Sequence, residues 1–332
     1  MSVAAMLLGA AVLPLSMAFA QSGPAPASAK PFLTVDGKAP LVLGHRGLPG
    51  LVPEETEASY DLAAALGTDA LEEDLHLTKD CVLVVRHNPW LSDNTNIAEV
   101  AKTNAAVAAR KRTVPGVRVK APSATGVPAD YLTDLSDPAD PRSVLKSLIV
   151  DGEDHTNDWS ISDFTMAELK QWIGGTTYDA ANERPKVFNG KLPIISFQDV
   201  IDIAKAKSKE TGRSILVYPE TKNPTWNNAQ AIANGCGAPG SRPLEDALIK
   251  IIGDNGLNTK DAPILVQSFE PLGLFVHVFT FRNEKKYLAA DYRGDPSLEY
   301  LKFYRLGVDG VFSDFTHTGV AARAAYLREL GW

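Results

Sequence analysis

The sequence predicts an α/β protein in which parallel strands alternate with crossover helices. Three observations carry that expectation. Short β-branched, apolar runs alternate with helix-like segments along most of the chain, the pattern of βαβ units. Several of those runs end on charged or imidazole side chains. The 332 residues are 45% hydrophobic and 22% charged, the balance of a folded soluble protein with length for one large domain or two ordinary ones.

Taken in order, the chain opens with 29 residues that contain no Asp, Glu, Lys or Arg. Residues 3–20 are apolar and close on Ala18-Phe19-Ala20, a small-x-small ending that predicts a signal peptide over 1–20 and a periplasmic or secreted protein. Pro14 and Ser16 make this stretch a poor spanning helix, so no stable membrane span is expected after cleavage. Residues 21–38 read as a flexible leader. One domain is expected over 39–330. Its candidate strands are 41–45, 69–75, 82–87, 214–222, 264–269, 274–281 and 308–314. Its candidate helices are 57–66, 165–173, 197–211, 244–252, 298–306 and 319–330, the second introduced by the N-cap context Ser162-Asp163-Phe164-Thr165. From about 88 to 160 the alternation breaks into a stretch rich in Pro, Asp and Thr, with a basic patch over 110–120. A connection that long points to a lid or binding insertion after the third strand.

The net charge of -7 argues against nucleic acid as a partner, because such binding rests on Lys and Arg neutralising phosphates. An anionic small-molecule substrate must then be met by a local cluster or a metal ion. The oligomeric state is left open.

The strand ends carry the chemistry. Side chains in a strand alternate faces, so Leu41, Leu43 and His45 share one side, as do Leu83, Val85 and His87. Glu72 pairs in this way with Asp74, and Glu220 with Lys222. In a parallel sheet these six polar side chains on four strands gather at the C-terminal ends, where (β/α) barrels place their active sites. Glu72, Asp74 and Glu220 offer oxygen ligands for one divalent cation, Ca²⁺ before Mg²⁺. Arg46 and Lys222 offer positive charge for an anionic oxygen. His45 and His87 suit general acid/base work, whereas His76, His155, His277 and His317 lack comparable context.

Several runs together resemble the glycerophosphodiester phosphodiesterase family, in its exported branch. They are Gly44-His45-Arg46-Gly47, Pro53-Glu54-Glu55-Thr56, the stretch from Leu71 to Asp80, Val84-Val85-Arg86-His87, Tyr218-Pro219-Glu220-Thr221-Lys222, Gln267-Ser268-Phe269, and the stretch from Val308 to Asp314. The resemblance implies a TIM barrel and hydrolysis of a glycerophosphodiester to glycerol 3-phosphate and an alcohol. It also implies His45 and His87 as acid and base, Glu72, Asp74 and Glu220 as metal ligands, and Arg46 and Lys222 on the phosphate. Two alternatives remain beside it: a lysophospholipid-directed phosphodiesterase of the same fold, and a catalytically impaired exported binding protein.

Three departures from the family pattern stand out. Glu55 replaces an Asn and is expected to add negative charge near the mouth. Asn88 replaces an Asp that could orient His87. Only four residues separate Phe269 from Leu274, too few for a crossover, so the barrel lacks one βα unit after residue 269 or Leu192 to Ser196 contributes irregularly. Cys81 is expected at the N-terminal face of the sheet and Cys236 at the opposite face, too far apart for a bridge.

Overall fold

The structure, a computed structural model, describes residues 32, 34, 37–112, 149–150, 153–154, 157–178, 182–267, 277–306, 308 and 310–332. The expected signal peptide and leader therefore lie almost wholly outside the described residues. Strands β1 (Leu41–Gly44), β2 (Ala70–Leu77), β3 (Leu83–Val85), β6 (Leu216–Thr221), β7 (His277–Phe281) and β8 (Gly310–Ser313) form one sheet of order β3-β2-β1-β8-β7, with β6 also paired to β2. A separate small ribbon joins β4 (Ile149–Val150) to β5 (Glu153–Asp154).

Apart from β3, every strand in the larger sheet pairs in parallel. In register across it, Leu43 stands opposite Ala70 and Phe312, and Ala70 opposite Leu216. With Tyr218 these residues form one apolar layer on the inner face. Glu72, Asp74, Glu220 and Asp314 continue the same alternation toward the C-terminal ends, so a polar layer rests on an apolar floor. The odd-numbered β2 residues Leu71 and Leu75 face the other way, into the largest core.

Helices cover that outer face. They are α1 (Glu57–Ala65), α5 (Phe197–Thr211) and α7 (Pro243–Asp254), which contribute Tyr60, Ala63, Phe197, Val200, Ile201, Leu244 and Leu248 to the core. Truncating a buried leucine of this cluster to Ala costs about 2–5 kcal/mol. α5 starts at a reciprocal capping box, Ser196 with Asp199, and stops at Gly212 with φ of 68°, a left-handed position that glycine accepts without a Cβ clash. The remaining helices are α2 (Ile97–Val100), α3 (Ala105–Ala108), α4 (Met166–Trp172), α6 (Pro224–Ala233), α8 (Ser297–Leu306) and α9 (Thr316–Glu329). α8 and α9 close the β7–β8 side over an aromatic core of Phe281, Tyr300, Tyr304 and Tyr326.

Two sequence expectations are overturned together. β3 runs antiparallel to β2, with Leu75 opposite Val85 and Leu77 opposite Leu83. Cys81 thus lies at the tip of a hairpin beyond the C-terminal end of β2, not at the N-terminal face. The second is the cysteine pairing. α6 starts just past β6 and packs on that hairpin, where Asn227 Oδ1 accepts from the Leu77 amide at 3.2 Å. Cys236 follows α6, and the two cysteines form a disulfide with Cα atoms 5.5 Å apart. Cys81 holds a left-handed φ of 66° in the hairpin turn, a conformation costly for a residue with a Cβ.

The later wall is irregular. Of the strand expected over 264–269, the described residues 264–267 make isolated parallel bridges, Ile264 to Val217 and Gln267 to Glu220. Leu192 to Ser196 does contribute, bridging Pro193 to Gly174 and Ser196 to Val84. Among the described residues no ladder joins 264–267 to β7, so barrel closure is not traced. Residues 268–276, which hold the short connection, lie outside the described residues.

The expected insertion is only partly an excursion. Leu91, Ile97, Val107, Trp159 and Ile161 form their own core with Phe164, Leu169 and Ile194. Most of residues 113–156 lie outside the described residues, and Arg112 and Asp158 on either side of them pair through an Arg112 amide to Asp158 carbonyl bond of 2.8 Å.

Candidate active site

Glu72 and Asp74 from β2 and Glu220 from β6 each place a carboxylate oxygen within 4.8 Å of the others, and all three are buried. The register explains it: Asp74 stands directly opposite Glu220 and Glu72 opposite Tyr218. Burial and the charge of Asp74 push Glu72 well above the ordinary carboxylate range. The same two causes, against the ammonium of Lys222, hold Glu220 at about 7. Burial pulls Asp74 the same way, but Lys222, Arg46 and His87 together outweigh it and depress its pKa. Crowded buried carboxylates in this state fit a hard cation, which would relieve their mutual repulsion.

The cations come from loop and strand. Lys222 Nζ lies 3.1 Å from Glu220 and 3.7 Å from Asp74. Arg46 has a left-handed φ of 53°, which turns its amide onto Glu72 Oε2 at 2.8 Å. Its guanidinium reaches Asp74 at 3.1 Å and Glu54 at 3.4 Å. Strain of this kind costs about 1–3 kcal/mol and is typical of functional sites. Glu55 is not at the mouth as expected. It is fully buried behind Asp74, accepts the Asp74 amide at 3.2 Å and faces Arg86 at 4.0 Å. Its side chain supports the ligand strand from beneath.

The imidazoles arrive by different routes. His45 follows β1, and its Nδ1 meets Asp314 Oδ1 at 2.6 Å. Burial and Arg46 lower its pKa, and Asp314 opposes them. His87 follows the antiparallel β3, where the Arg86 amide donates to Asp74 carbonyl at 2.9 Å. Burial and then Arg46 push its imidazole well below its ordinary value. All seven residues singled out from the sequence therefore meet at one end of the sheet. Asn88 is turned aside, donating to Asp93 at 2.5 Å.

Four participants were not singled out from the sequence. Gln267 donates to Glu220 Oε2 at 2.8 Å. Asp314 ends its strand on the same face as Phe312, a signal the alternation of β8 could have supplied. Arg184 binds both Glu284 and Asp314, across separations of 100 and 130 residues, which no local pattern announces. His76 was set aside as structural and is fully buried. Asn227 donates to its Nδ1 at 2.8 Å, which leaves Nε2–H to donate to the His87 carbonyl at 3.2 Å. Of the other histidines, His317 is half-buried on α9 beside Phe315, while His155 and the side chain of His277 lie outside the described residues.

Carboxylates for a cation, fixed cations for a phosphate and two imidazoles, gathered at the ends of parallel strands, mark the phosphodiesterase class of hydrolase. Comparison with known proteins makes this particular. The family model for the glycerophosphoryl diester phosphodiesterase family matches residues 45–236, and the chain belongs to that family. It is 25% identical to a glycerophosphodiester phosphodiesterase of Arabidopsis thaliana, covering 87% of each chain. It is 24% identical to a Haemophilus influenzae glycerophosphodiester phosphodiesterase, over 69% of this chain and 50% of that one. A solved Oleispira antarctica phosphodiesterase in complex with the product sn-glycerol-3-phosphate shares 16% identity, covering 86% of this chain and 96% of that one, with a TM-score of 0.45.

Proposed function

We propose that the protein hydrolyses glycerophosphodiesters to glycerol 3-phosphate and an alcohol, using a divalent cation held by Glu72, Asp74 and Glu220. The observation that carries this reading is the convergence of three buried carboxylates within 4.8 Å, flanked by Arg46, Lys222 and two imidazoles. Ca²⁺ suits this all-oxygen donor set. Bound there, the cation would supply Lewis-acid stabilisation of charge on the phosphate. Arg46 and Lys222 orient the diester and balance its charge. His45 has its Nδ1 committed to Asp314, so Nε2 is the atom that exchanges a proton. His87 exchanges the other proton, one imidazole serving as base toward the attacking hydroxyl or water and the other as acid toward the leaving alcohol.

Export to the periplasm or medium is part of the proposal, with residues 1–20 as signal peptide, 21–38 as leader and 39–330 as the barrel domain. The Cys81–Cys236 bridge supports it, because disulfides persist in oxidising compartments. No helix among the described residues is long and apolar enough to cross a membrane.

Release of glycerol 3-phosphate from glycerophosphocholine, followed with and without a chelator, tests the reading. Chelator-sensitive release is expected, and release that survives complete metal removal sinks it. Faster turnover of lysophosphatidylcholine than of the deacylated diester would favour the lysolipid reading. Diester binding without turnover would identify a binding protein.

A further inference from the structure

We propose that Arg184, fastened by Glu284, is a positioning residue that sets the orientation and basicity of His45 through Asp314. The inference rests on the proposed role of His45 in proton exchange. Arg184 lies between α4 and α5, Glu284 follows β7 and Asp314 follows β8, and the three meet with side chains no more than 3% exposed. Arg184 Nε donates to Glu284 and its Nη2 donates to Asp314 Oδ2, while the guanidinium lies over Phe315 at 5.6 Å. Arg282 approaches the same Oδ2 at 3.2 Å. Asp314 therefore has one oxygen on His45 and the other on two guanidiniums, and its carboxylate cannot rotate without breaking buried charge-assisted bonds. The imidazole ring is held in turn, with Phe312 packed nearly perpendicular to it, the ring centroids 6.0 Å apart at 81°.

The arrangement also limits charge. A carboxylate stabilises an imidazolium, and a guanidinium on its second oxygen weakens that effect. The other charges acting on His45 are those of Arg46 and Asp74, and His45 and His87 act on one another. On Asp314 they are His45, Arg184 and Arg282, with the Tyr300 hydroxyl nearby. Removing Arg184 frees Asp314 to raise the basicity of His45. Removing the charge of Glu284 leaves Arg184 less compensated and lowers it.

The test is the pH profile of kcat on glycerophosphocholine, together with ¹⁵N resonances of the His45 ring, in Arg184→Met, Arg184→Lys and Glu284→Gln. Arg184→Met should lower kcat about ten-fold with little change in KM and move the His45 limb to higher pH. Glu284→Gln should move it to lower pH, and Arg184→Lys should restore it. In an Asp314→Asn background, Arg184→Met should add nothing further. A uniform fall in activity with the limb and the ring resonances unmoved would reduce Arg184 to a structural clamp and overturn the proposal. If Arg184→Met does not fold, the downward shift in Glu284→Gln decides the matter by itself. If the wild-type enzyme does not turn over the diester, the substrate reading fails, while the His45 resonances still decide this one.

Discussion

His45 and His87 reach one site through unlike surroundings. His45 leaves a strand parallel to both its neighbours, and a buried carboxylate grips the ring itself. His87 leaves an antiparallel strand, and there the described bonds fall on the backbone, through His76 and Asn227. One imidazole is oriented by charge at its nitrogen, the other by the path of its chain. The contrast shows that two groups of one residue type can be held at one site by unlike means, a buried carboxylate at the ring for His45 and backbone bonds for the less buried His87.

The largest expected effects test whether both rings work. His45→Ala and His87→Ala should each lower kcat by about 10²–10⁴-fold, measured as glycerol 3-phosphate release. A negligible loss in His87→Ala would break the comparison, leaving the chemistry to one imidazole. Next, Asp314→Asn should cost about 10²-fold, because an amide no longer enforces the Nδ1–H tautomer of His45. Asn88→Ala, on the other side, should cost far less, and equal losses would contradict the contrast. Third, Cys81→Ser should lower stability by about 2–4 kcal/mol in urea unfolding, and its activity loss should follow loosening of the hairpin that carries His87. The wild-type protein should gain two thiols on reduction.

The smallest effect concerns the carboxylate layer both rings share. Glu220 is raised from 4.5 to about 7, so the metal-free fold favours its neutral form. That contribution to stability is complete below about pH 4.5 and is lost as pH rises through 7. A cation displaces the proton, so Ca²⁺ affinity should rise about ten-fold between about pH 6 and 8. Calorimetric titration checks it, and a flat profile would show that Glu220 does not ligate.

Most of the site could be read from the sequence because strand alternation projects Glu72 with Asp74, and Glu220 with Lys222, onto one side. The hairpin could have been read as well. Leu77 and Leu83 are five residues apart in the gap between their strands, and a parallel crossover needs a dozen or more. The same arithmetic that questioned the connection after Phe269 excludes a parallel β3, and with it goes the reason for keeping Cys81 from Cys236. α6 was hidden by Asn223-Pro224, which reads as a break until the proline is placed in a first helical turn. Arg184 and Glu284 were beyond reach, since only the folded chain brings them to Asp314.

The closure of Arg112 onto Asp158 has a consequence for how such a protein changes over generations. Where a backbone bond fixes the separation of two residues, the chain between them can change length without changing that separation, and the entropic penalty of closing a longer connection grows only slowly. The pair offers lineages a joint at which chain length can vary while the catalytic frame is inherited intact.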